Sequence, residues 1–324
     1  MIQIYGTLGP ACADEKILAA MLRADMTGVR LNLSHTMLTD AAAELSALRR
    51  AEQETGKTAQ LLIDLQGPEV RIGKLPSALT LQDGDCLIMG EDIPIPAEVL
   101  EALAPGRRLL LDDGKLLLEM ETVRRAKVLR GGVLTSRKSL AIENLDLHLP
   151  ALTEDDRINL SNAVSFGVTG VMQPFVRSAE DLITLRHALD AAGGESIRIL
   201  AKVENQAGMA HLPELLPYAD EIVIARGDLG NAMPLWDLPG AQKSIAAICR
   251  DAKKPFLVVT QMLASMVNSP VPTRAEVSDI FRAVSEGASA VMVTNETAVG
   301  KYPAEVIRYL KNTADSAEEY LRNR

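Results

Sequence analysis

Aromatic residues are scarce in this chain: one Trp, five Tyr and four Phe make up 3% of its 324 residues. Proteins that bind single-stranded nucleic acid stack the bases on aromatic side chains, so the composition argues against such a platform. The net charge of −9 argues against a basic nucleic-acid footprint and provides no attraction to an anionic membrane. We therefore expect neither a nucleic-acid partner nor a membrane partner.

Cysteine is equally sparse. Cys12, Cys86 and Cys249 are odd in number and unrelated in spacing, which fits neither a zinc site nor a disulfide framework. We predict a reducing, cytoplasmic location and three buried, apolar thiols. No apolar run approaches the ~18 residues of a membrane-spanning helix. The first five residues lack the basic and apolar regions of a signal peptide.

Short apolar, β-branched runs alternate with helical periods along most of the chain. The predicted strands are 2–8, 28–33, 59–65, 168–172, 197–203, 221–225, 256–260 and 290–294. The predicted helices are 14–24, 39–54, 154–164, 179–192, 239–252, 274–286 and 304–321. Eight strands, most of them followed by a helix, favour an α/β fold, the closed (β/α)8 TIM barrel. The alternative is an open doubly wound sheet, but Gly6-Thr-Leu-Gly-Pro is a poor phosphate loop after the first strand.

The stretch 72–144 interrupts this alternation. It reads as short strands around Asp-Gly and Gly-Gly turns, a pattern typical of antiparallel hairpins. We predict a small β-rich lid domain over residues 72–144, inserted after the third strand. Residues 1–71 and 145–324 would then form a discontinuous barrel domain.

Charged residues end the apolar strand that contains Lys202-Val-Glu-Asn205. Side chains alternate faces with period two, so Lys202 and Glu204 share a face. Buried charges are costly unless they are paired or bind metal. Two carboxylates, Glu204 and Asp228, beside one ammonium suit a divalent cation and an anionic substrate. A structural ion pair at the barrel mouth is the alternative.

Polar groups follow six of the eight predicted strands. They stand in Arg30-Leu-Asn-Leu-Ser34, Asp64-Leu-Gln-Gly-Pro-Glu69, Lys202-Val-Glu204, Arg226-Gly-Asp228, Thr260-Gln-Met and Thr294-Asn-Glu-Thr297. In a (β/α)8 barrel the chemistry lies at the carboxyl ends of the strands. These six positions therefore favour an active site at that end of the barrel.

The same segments, taken in order, carry a family resemblance. They include Thr7-Leu-Gly-Pro-Ala, Arg30-Leu-Asn-Leu-Ser-His35, Asp64-Leu-Gln-Gly-Pro-Glu-Val-Arg71, Lys202-Val-Glu-Asn205, Ala225-Arg-Gly-Asp-Leu-Gly230, Thr260-Gln-Met-Leu-Ala-Ser-Met266 and Pro272-Thr-Arg-Ala-Glu276. The chain resembles the pyruvate kinase family across nearly all of its barrel. So many ordered motifs are far more specific than a single glycine pattern.

The resemblance implies phosphoryl transfer from phosphoenolpyruvate to ADP, giving pyruvate and ATP. Lys202 matches the lysine that stabilises the transferring phosphoryl group, Arg30 an arginine that grips the phosphate, and Thr260 a hydroxyl in the proton relay to the enolate. Glu204 and Asp228 match the Mg²⁺ ligands. Gly227 and Asp228 begin a turn whose N–H groups could hold the substrate carboxylate.

Two further sites are implied by the same resemblance. The expected K⁺ ligands are Asn32, Ser34, Asp64 and the carbonyl of Leu65. The expected nucleotide-site residues are Thr7, His35, Lys138 and Asp113. A homodimer through barrel helices is also expected. The chain ends after the last barrel helix, without the family's effector domain, so we expect a non-allosteric enzyme.

Several positions depart from the family pattern. Gln66 stands for the usual Lys, Leu65 for Thr and Pro174 for Ser, and the segment around Lys138 lacks the family's glycines and proline. Because the nucleotide side is altered, two alternatives stay open. One is a Mg-enolate lyase, aldolase or decarboxylase acting on pyruvate-like 2-oxo acids. The other is a non-catalytic regulatory protein that binds phosphoenolpyruvate.

Two acidic groups have structural interpretations. Thr153 followed by Glu154-Asp155-Asp156 is typical of a helix start rather than a metal site. Glu296 could contribute to the site or only fix the loop after the eighth strand.

Overall fold

The computed structural model describes residues 1–112, 114–143, 145 and 149–323. The chain forms two compact units. One comprises Met1–Gly67 together with Ala151–Arg324, and the other comprises Pro68–Pro150. Within the described ranges, every helix is too short or too polar to cross a membrane.

The first unit is a closed barrel of eight parallel strands. The strands are β1 (Gln3–Thr7), β2 (Gly28–Asn32), β3 (Gln60–Asp64), β4 (Gly170–Gln173), β5 (Arg198–Val203), β6 (Glu221–Ala225), β7 (Phe256–Val259) and β8 (Ala290–Met292). Each strand pairs with its neighbours, and β1 pairs with both β2 and β8, which closes the ring. The predicted (β/α)8 barrel is confirmed, and the open sheet is excluded.

Long helices lie between most of the barrel strands, close to the predicted bounds. The α-helices of this unit are Glu15–Arg23, Ala42–Thr55, Glu154–Asn162, Ala179–Ala191, Gln206–Ala210, Leu212–Leu215, Arg226–Asn231, Leu238–Asp251, Arg274–Ser285, Asn295–Ala298 and Pro303–Arg322, and the 3₁₀ helices are Leu216–Tyr218 and Ala264–Val267. Apart from the turn that begins at Gly227 and Asp228, the short helices were not predicted, because three to six residues are too few to show a 3.6-residue period.

Side chains alternate between the two faces of each barrel strand, and this alternation produces two apolar cores. The side chains that face the barrel interior form one cluster, which includes Tyr5, Leu62, Leu200 and Leu257. The opposite faces of the strands pack with the helices in a much larger apolar cluster. A parallel strand buried on both faces reads as a continuous apolar run, which is why these strands were readable in the sequence.

A polar cluster fills the amino-terminal end of the barrel interior. Tyr5 Oη donates to Gln60 Oε1 at 2.9 Å, and the Arg198 guanidinium also donates to Gln60. Arg198 pairs with Glu221 at 3.4 Å, and Ser289 Oγ donates to Glu221 Oε1 at 2.9 Å. The buried charges at this end of the barrel therefore compensate each other.

In its described residues, the second unit consists of antiparallel sheet and the α-helix Ala97–Ala102. Its described strands are Leu79–Leu81, Cys86–Ile88, Arg108–Leu111, Leu116–Met120, Arg125–Arg130, Gly132–Leu134 and Leu140–Ile142. Five of them form one sheet, and Leu79–Leu81 pairs separately with Gly132–Leu134. Inward-facing residues such as Leu116, Leu118 and Met120 build the unit's own apolar core.

The prediction of three buried thiols is wrong for one of them. Cys12 and Cys249 are buried, but Cys86 is exposed. Cys86 lies in a short strand of the small unit, paired with Arg125–Arg130, and its Sγ accepts a hydrogen bond from Arg125 Nη2 at 3.3 Å. A strand with one solvated face exposes every second residue, and Cys86 occupies such a position.

Asp156 joins a helix start to the turn after β3. Thr153 caps the helix Glu154–Asn162 in a capping box with Asp156, as the sequence predicts. The fully buried Asp156 carboxylate also accepts hydrogen bonds from the backbone N–H groups of Gln66 at 2.9 Å and Gly67 at 3.0 Å. This carboxylate therefore fixes the loop that follows Asp64.

We predict that Asp156→Ala destabilises the protein by about 3 kcal/mol, because it leaves several buried donors without an acceptor. Asp155→Ala is the matched control, since Asp155 is exposed in the same helical turn and should cost less than about 0.5 kcal/mol. Urea unfolding measures both. Equal losses would contradict this role for Asp156.

Candidate active site at the carboxyl ends of the strands

Lys202 lies at the centre of a buried cluster of charges. Its Nζ is 3.3 Å from both carboxylate oxygens of Asp64 and 3.4 Å from Glu204 Oε2. Burial lowers the pKa of Lys202, but the charges of Asp64, Glu204 and Asp228 outweigh burial and raise the pKa above its ordinary value. The side chain is thus a fixed ammonium, and the predicted convergence of Lys202 with Glu204 is found.

Glu204 follows β5 and is nearly inaccessible to solvent, at 1% exposure. Its Oε1 accepts the N–H of Phe175 at 2.7 Å, and Phe175 adopts a left-handed backbone with φ of 51°. Within the described part of the chain its Oε2 receives no hydrogen bond, and this oxygen lies 3.4 Å from the Lys202 ammonium. Burial above all, with the nearby Asp228 and Asp64, raises the pKa of Glu204 to about 8, although Lys202 and the Phe175 N–H oppose this.

Arg30 on β2 is held against Asp64 on β3. Its Nε donates to Asp64 Oδ2 at 2.8 Å, and its Nη2 is 2.6 Å from the same oxygen. Its Nη1 also donates to Thr7 Oγ1 at 3.4 Å. Asp64 therefore orients both cations of the cluster, Arg30 and Lys202. No described residue donates a hydrogen bond to its Oδ1.

Asp228 approaches this cluster from the loop after β6. Its charge raises the pKa of both Lys202 and Glu204, so it lies close to both. Gly227 and Asp228 stand in the first turn of the helix Arg226–Asn231, as the sequence predicts. The cluster of Arg30, Lys202 and the three carboxylates thus holds one more acid than base.

Thr260 follows β7 in a strained conformation. Its φ is 83°, and Gln261 follows with φ of 55°. A β-branched residue rarely adopts positive φ, which costs about 1–3 kcal/mol and is found mostly at functional sites. A Cβ on Gly227 would lie 3.1 Å from the Thr260 methyl group, so Thr260 packs directly against the turn that carries Asp228.

Sequence reasoning gave no role to Arg226. Its Nη2 donates to the carbonyl oxygen of Thr260 at 2.7 Å, and its Nη1 donates to Asp279 Oδ2 at 2.6 Å. The only signal in the sequence was its position beside Gly227 and Asp228, which does not reveal a partner 34 residues away.

Glu296 fixes the loop after β8. Its Oε2 accepts the N–H of Thr294 at 2.7 Å, and its Oε1 accepts the N–H of Leu263 at 3.2 Å. In the same loop, Thr297 Oγ1 accepts the N–H of Thr7 at 2.8 Å. These bonds join the ends of β8, β7 and β1.

The predicted K⁺ ligands occupy the adjacent ends of β2 and β3. Asn32 pairs in register with Asp64, and Asn32 Oδ1 accepts the N–H of Ser34 at 3.1 Å. Leu65 follows Asp64, and its N–H donates to the Met172 carbonyl oxygen at 3.1 Å. The structure brings these residues into one region, and their role as cation ligands stays a prediction.

The predicted nucleotide residues are divided between the two units. In the barrel unit, Thr7 is buried, with its hydroxyl donating to the Val293 carbonyl oxygen at 2.9 Å, and His35 is exposed. Asp113 lies outside the described residues.

Lys138 belongs to the small unit, where its Nζ is 2.7 Å from Asp112 Oδ1. Burial raises the pKa of Asp112, but hydrogen bonds from Lys138 and Lys115 outweigh burial and lower it. The Lys138 ammonium is therefore engaged in an ion pair.

Two departures from the family pattern have visible consequences. Gln66 carries no charge, and its backbone N–H donates to Asp156 at 2.9 Å. The Pro174 ring fits against Gly67, whose φ is 59° and where an added Cβ would lie 2.5 Å from the ring. A glycine is required there by both its conformation and the close approach of the ring.

The carboxylates fit a divalent cation. Within the described residues, no group of three or more His, Cys, Asp or Glu side chains is arranged to hold a metal by itself. Magnesium is usually bound by one or two carboxylates together with substrate oxygens and waters. Glu204 and Asp228 could supply that pair, and Glu204 Oε2, which accepts no hydrogen bond from a described residue, is an available ligand.

Comparison with known proteins identifies the family. Residues 1–307 match the family described as "Pyruvate kinase, barrel domain". The chain is 35% identical over 338 residues to a pyruvate kinase of Geobacillus stearothermophilus, 37% over 328 residues to one of Aeropyrum pernix and 37% over 337 residues to one of Agrobacterium vitis. Each match covers 99% of this chain.

These matches make the chain a member of the pyruvate kinase family, a family of phosphotransferases, which confirms the resemblance seen in the sequence. The chain spans 58% of the Geobacillus protein, 71% of the Aeropyrum protein and 69% of the Agrobacterium protein.

We predict that Mg²⁺ binding to this cluster strengthens as pH rises from about 6 to about 8, because Mg²⁺ requires the ionised carboxylate and the raised pKa keeps Glu204 protonated at lower pH. Glu204→Gln should weaken binding at least about tenfold and abolish this pH dependence. Calorimetry in buffers of different ionisation enthalpy measures both effects.

Glu221→Gln is the control, because Glu221 is a buried carboxylate at the opposite end of the barrel. It should keep wild-type Mg²⁺ binding. Wild-type affinity that does not change with pH, or an equal loss in Glu221→Gln, would contradict the assignment.

Proposed function

We propose that this protein transfers the phosphoryl group of phosphoenolpyruvate to ADP and forms pyruvate and ATP, using Mg²⁺ and K⁺. The observation that carries the proposal is the Lys202 ammonium, held 3.3–3.4 Å from Asp64 and Glu204 beside the Arg30 guanidinium. Phosphoryl transfer needs little covalent chemistry from a protein. It needs positioned charges that match those developing in the transition state.

Arg30 and Lys202 are the two cations suited to the transferring group. The planar guanidinium of Arg30 can grip a phosphate through two N–H groups, and Asp64 fixes its orientation. Lys202 can compensate the charge that develops on the phosphoryl oxygens and on the departing enolate oxygen. Because Lys202 stays protonated, it acts as a fixed charge and not as a base.

Glu204 and Asp228 would hold Mg²⁺, which supplies positive charge to the substrate oxygens. The N–H groups of Gly227 and Asp228, at the start of a helix, would hold the substrate carboxylate. The Thr260 hydroxyl lies beside this turn, where it would take part in the proton relay that converts the enolate to pyruvate. Asn32, Ser34, Asp64 and the carbonyl of Leu65 would hold K⁺.

ATP formation from phosphoenolpyruvate and ADP, measured with Mg²⁺ and K⁺, tests the proposal. Replacing K⁺ by tetramethylammonium should abolish most of the activity. We expect Lys202→Met to lower kcat by about 1,000-fold or more, the range for removing a charge that stabilises phosphoryl transfer.

Lys311→Met is a matched control, because Lys311 is also largely buried and pairs with an aspartate, Asp315. It should keep wild-type turnover. Activity of Lys202→Met near that of wild type would refute the role of Lys202.

The same assay separates the two alternatives. Tight binding of phosphoenolpyruvate without turnover in the wild type would favour a regulatory binding protein. Cleavage of carbon–carbon bonds in 2-oxo acids would favour a lyase, aldolase or decarboxylase. The pairing of subunits, the absence of allostery, the boundaries of a lid domain and a cytoplasmic location stay predictions.

A further inference from the structure

Arg226 connects three separate parts of the barrel unit. Its Nη2 donates to the Thr260 carbonyl oxygen at 2.7 Å, at the end of β7. Its Nη1 donates to Asp279 Oδ2 at 2.6 Å and to Gln242 Oε1 at 3.4 Å. Asp279 and Gln242 belong to the helices Arg274–Ser285 and Leu238–Asp251. The Arg226 side chain is 12% exposed, and that of Asp279 is 31% exposed.

The partners of Arg226 are themselves anchored. Gln242 is buried, and its Nε2 donates to Glu286 Oε2 at 2.7 Å. Glu286 Oε1 accepts from Arg282 Nε at 2.9 Å. A guanidinium held in this way has a fixed position. One terminal nitrogen donates to Thr260, and the other donates to the two helices. A lysine in the same place has only one nitrogen to share.

Thr260 needs such a restraint. Thr260 and Gln261 both have positive φ, and a β-branched residue keeps that conformation only when its surroundings determine it. A hydrogen bond to the Thr260 carbonyl oxygen orients the peptide group between these two residues. The Thr260 methyl group also packs against Gly227, which follows Arg226 and precedes Asp228.

We infer that Arg226 is a positioning residue for the reaction, an inference that rests on the proposed function. Among the described residues, its guanidinium bonds to Thr260, Met262, Gln242 and Asp279, and not to Lys202, Glu204 or Asp64. It acts by holding Thr260 in its left-handed conformation, so that the Thr260 hydroxyl stays beside the turn of Gly227 and Asp228. Loss of the Arg226 side chain should therefore lower kcat, because Thr260 would leave its position beside this turn.

A double-mutant cycle tests this inference. Arg226→Met keeps much of the apolar stem and removes the fork. We expect kcat to fall by about 100-fold, the cost of a misplacement of about 1 Å, with little change in KM for phosphoenolpyruvate. In a Thr260→Ala background, Arg226→Met should cause no further fall, because residues that act as one unit are not additive.

Two further variants are measured beside the double-mutant cycle. Arg186→Met is the control, because Arg186 also bonds an aspartate, Asp190, and backbone carbonyl oxygens, those of Ile197 and Gly194, but lies outside this network. It should keep wild-type kcat. Arg226→Lys keeps the charge, but its single nitrogen cannot occupy the Nη1 and Nη2 positions at once, so its kcat should also fall. It serves as the test variant if Arg226→Met does not fold. Independent, additive losses from Arg226 and Thr260 variants would overturn the inference.

A crystal structure of the Arg226 variant gives a readout that does not depend on activity. We expect φ of Thr260 to leave the positive region when the bond to its carbonyl oxygen is removed. A Thr260 φ that stays near 83° in the variant would overturn the positioning role, whether or not the wild type makes ATP. An inactive wild type with the expected change in Thr260 would instead count against the proposed function alone.

Discussion

The site depends on the compensation of buried charge around the Lys202 ammonium. Asp64, Glu204 and Asp228 all raise its pKa, and in return it forms ion pairs with two of these carboxylates, Asp64 and Glu204. A buried charge without a partner costs several kcal/mol, so this arrangement is stable only while its charges remain nearly balanced. The remaining excess of acid is what makes a cation a natural further component.

The two ends of the barrel use buried charge differently. At the amino-terminal end, Glu221 is satisfied by Arg198 and Ser289. At the carboxyl-terminal end, one oxygen of Asp64 and one of Glu204 receive no hydrogen bond from the described residues, although both lie near the Lys202 ammonium. A buried acceptor without a hydrogen bond calls for an explanation, and a bound ion is one such explanation. The contrast agrees with a general property of these barrels, in which one end provides stability and the other provides chemistry.

Much of this could be predicted because it follows from short-range patterns. Side chains along a strand alternate with a period of two, so the sequence of β5 was enough to place Lys202 and Glu204 on the same face. The helix start at Thr153 was readable for the same reason, since a capping box has fixed spacing. The closed barrel followed from counting strands and helices.

The rest depends on contacts between residues distant in the sequence. The positive φ of Thr260, the bond from Arg226 to its carbonyl oxygen and the N–H of Phe175 on Glu204 have no local signature. Short helices such as Asn295–Ala298 form because Glu296 and Thr297 bind neighbouring loops, and four residues show no period. The exposure of Cys86 was missed because the solvated face of an isolated short strand cannot be assigned from three residues.

The most direct test of this account is the position of a bound metal. Mn²⁺ takes oxygen ligands as Mg²⁺ does, and its anomalous scattering can be located in a crystal of the protein grown with Mn²⁺ and oxalate, a planar dianion that resembles the enolate of pyruvate. The account predicts one metal peak about 2.1 Å from an oxygen of Glu204 and an oxygen of Asp228, with oxalate within reach of Lys202. A metal bound elsewhere, with Glu204 and Asp228 left uncoordinated, would contradict it.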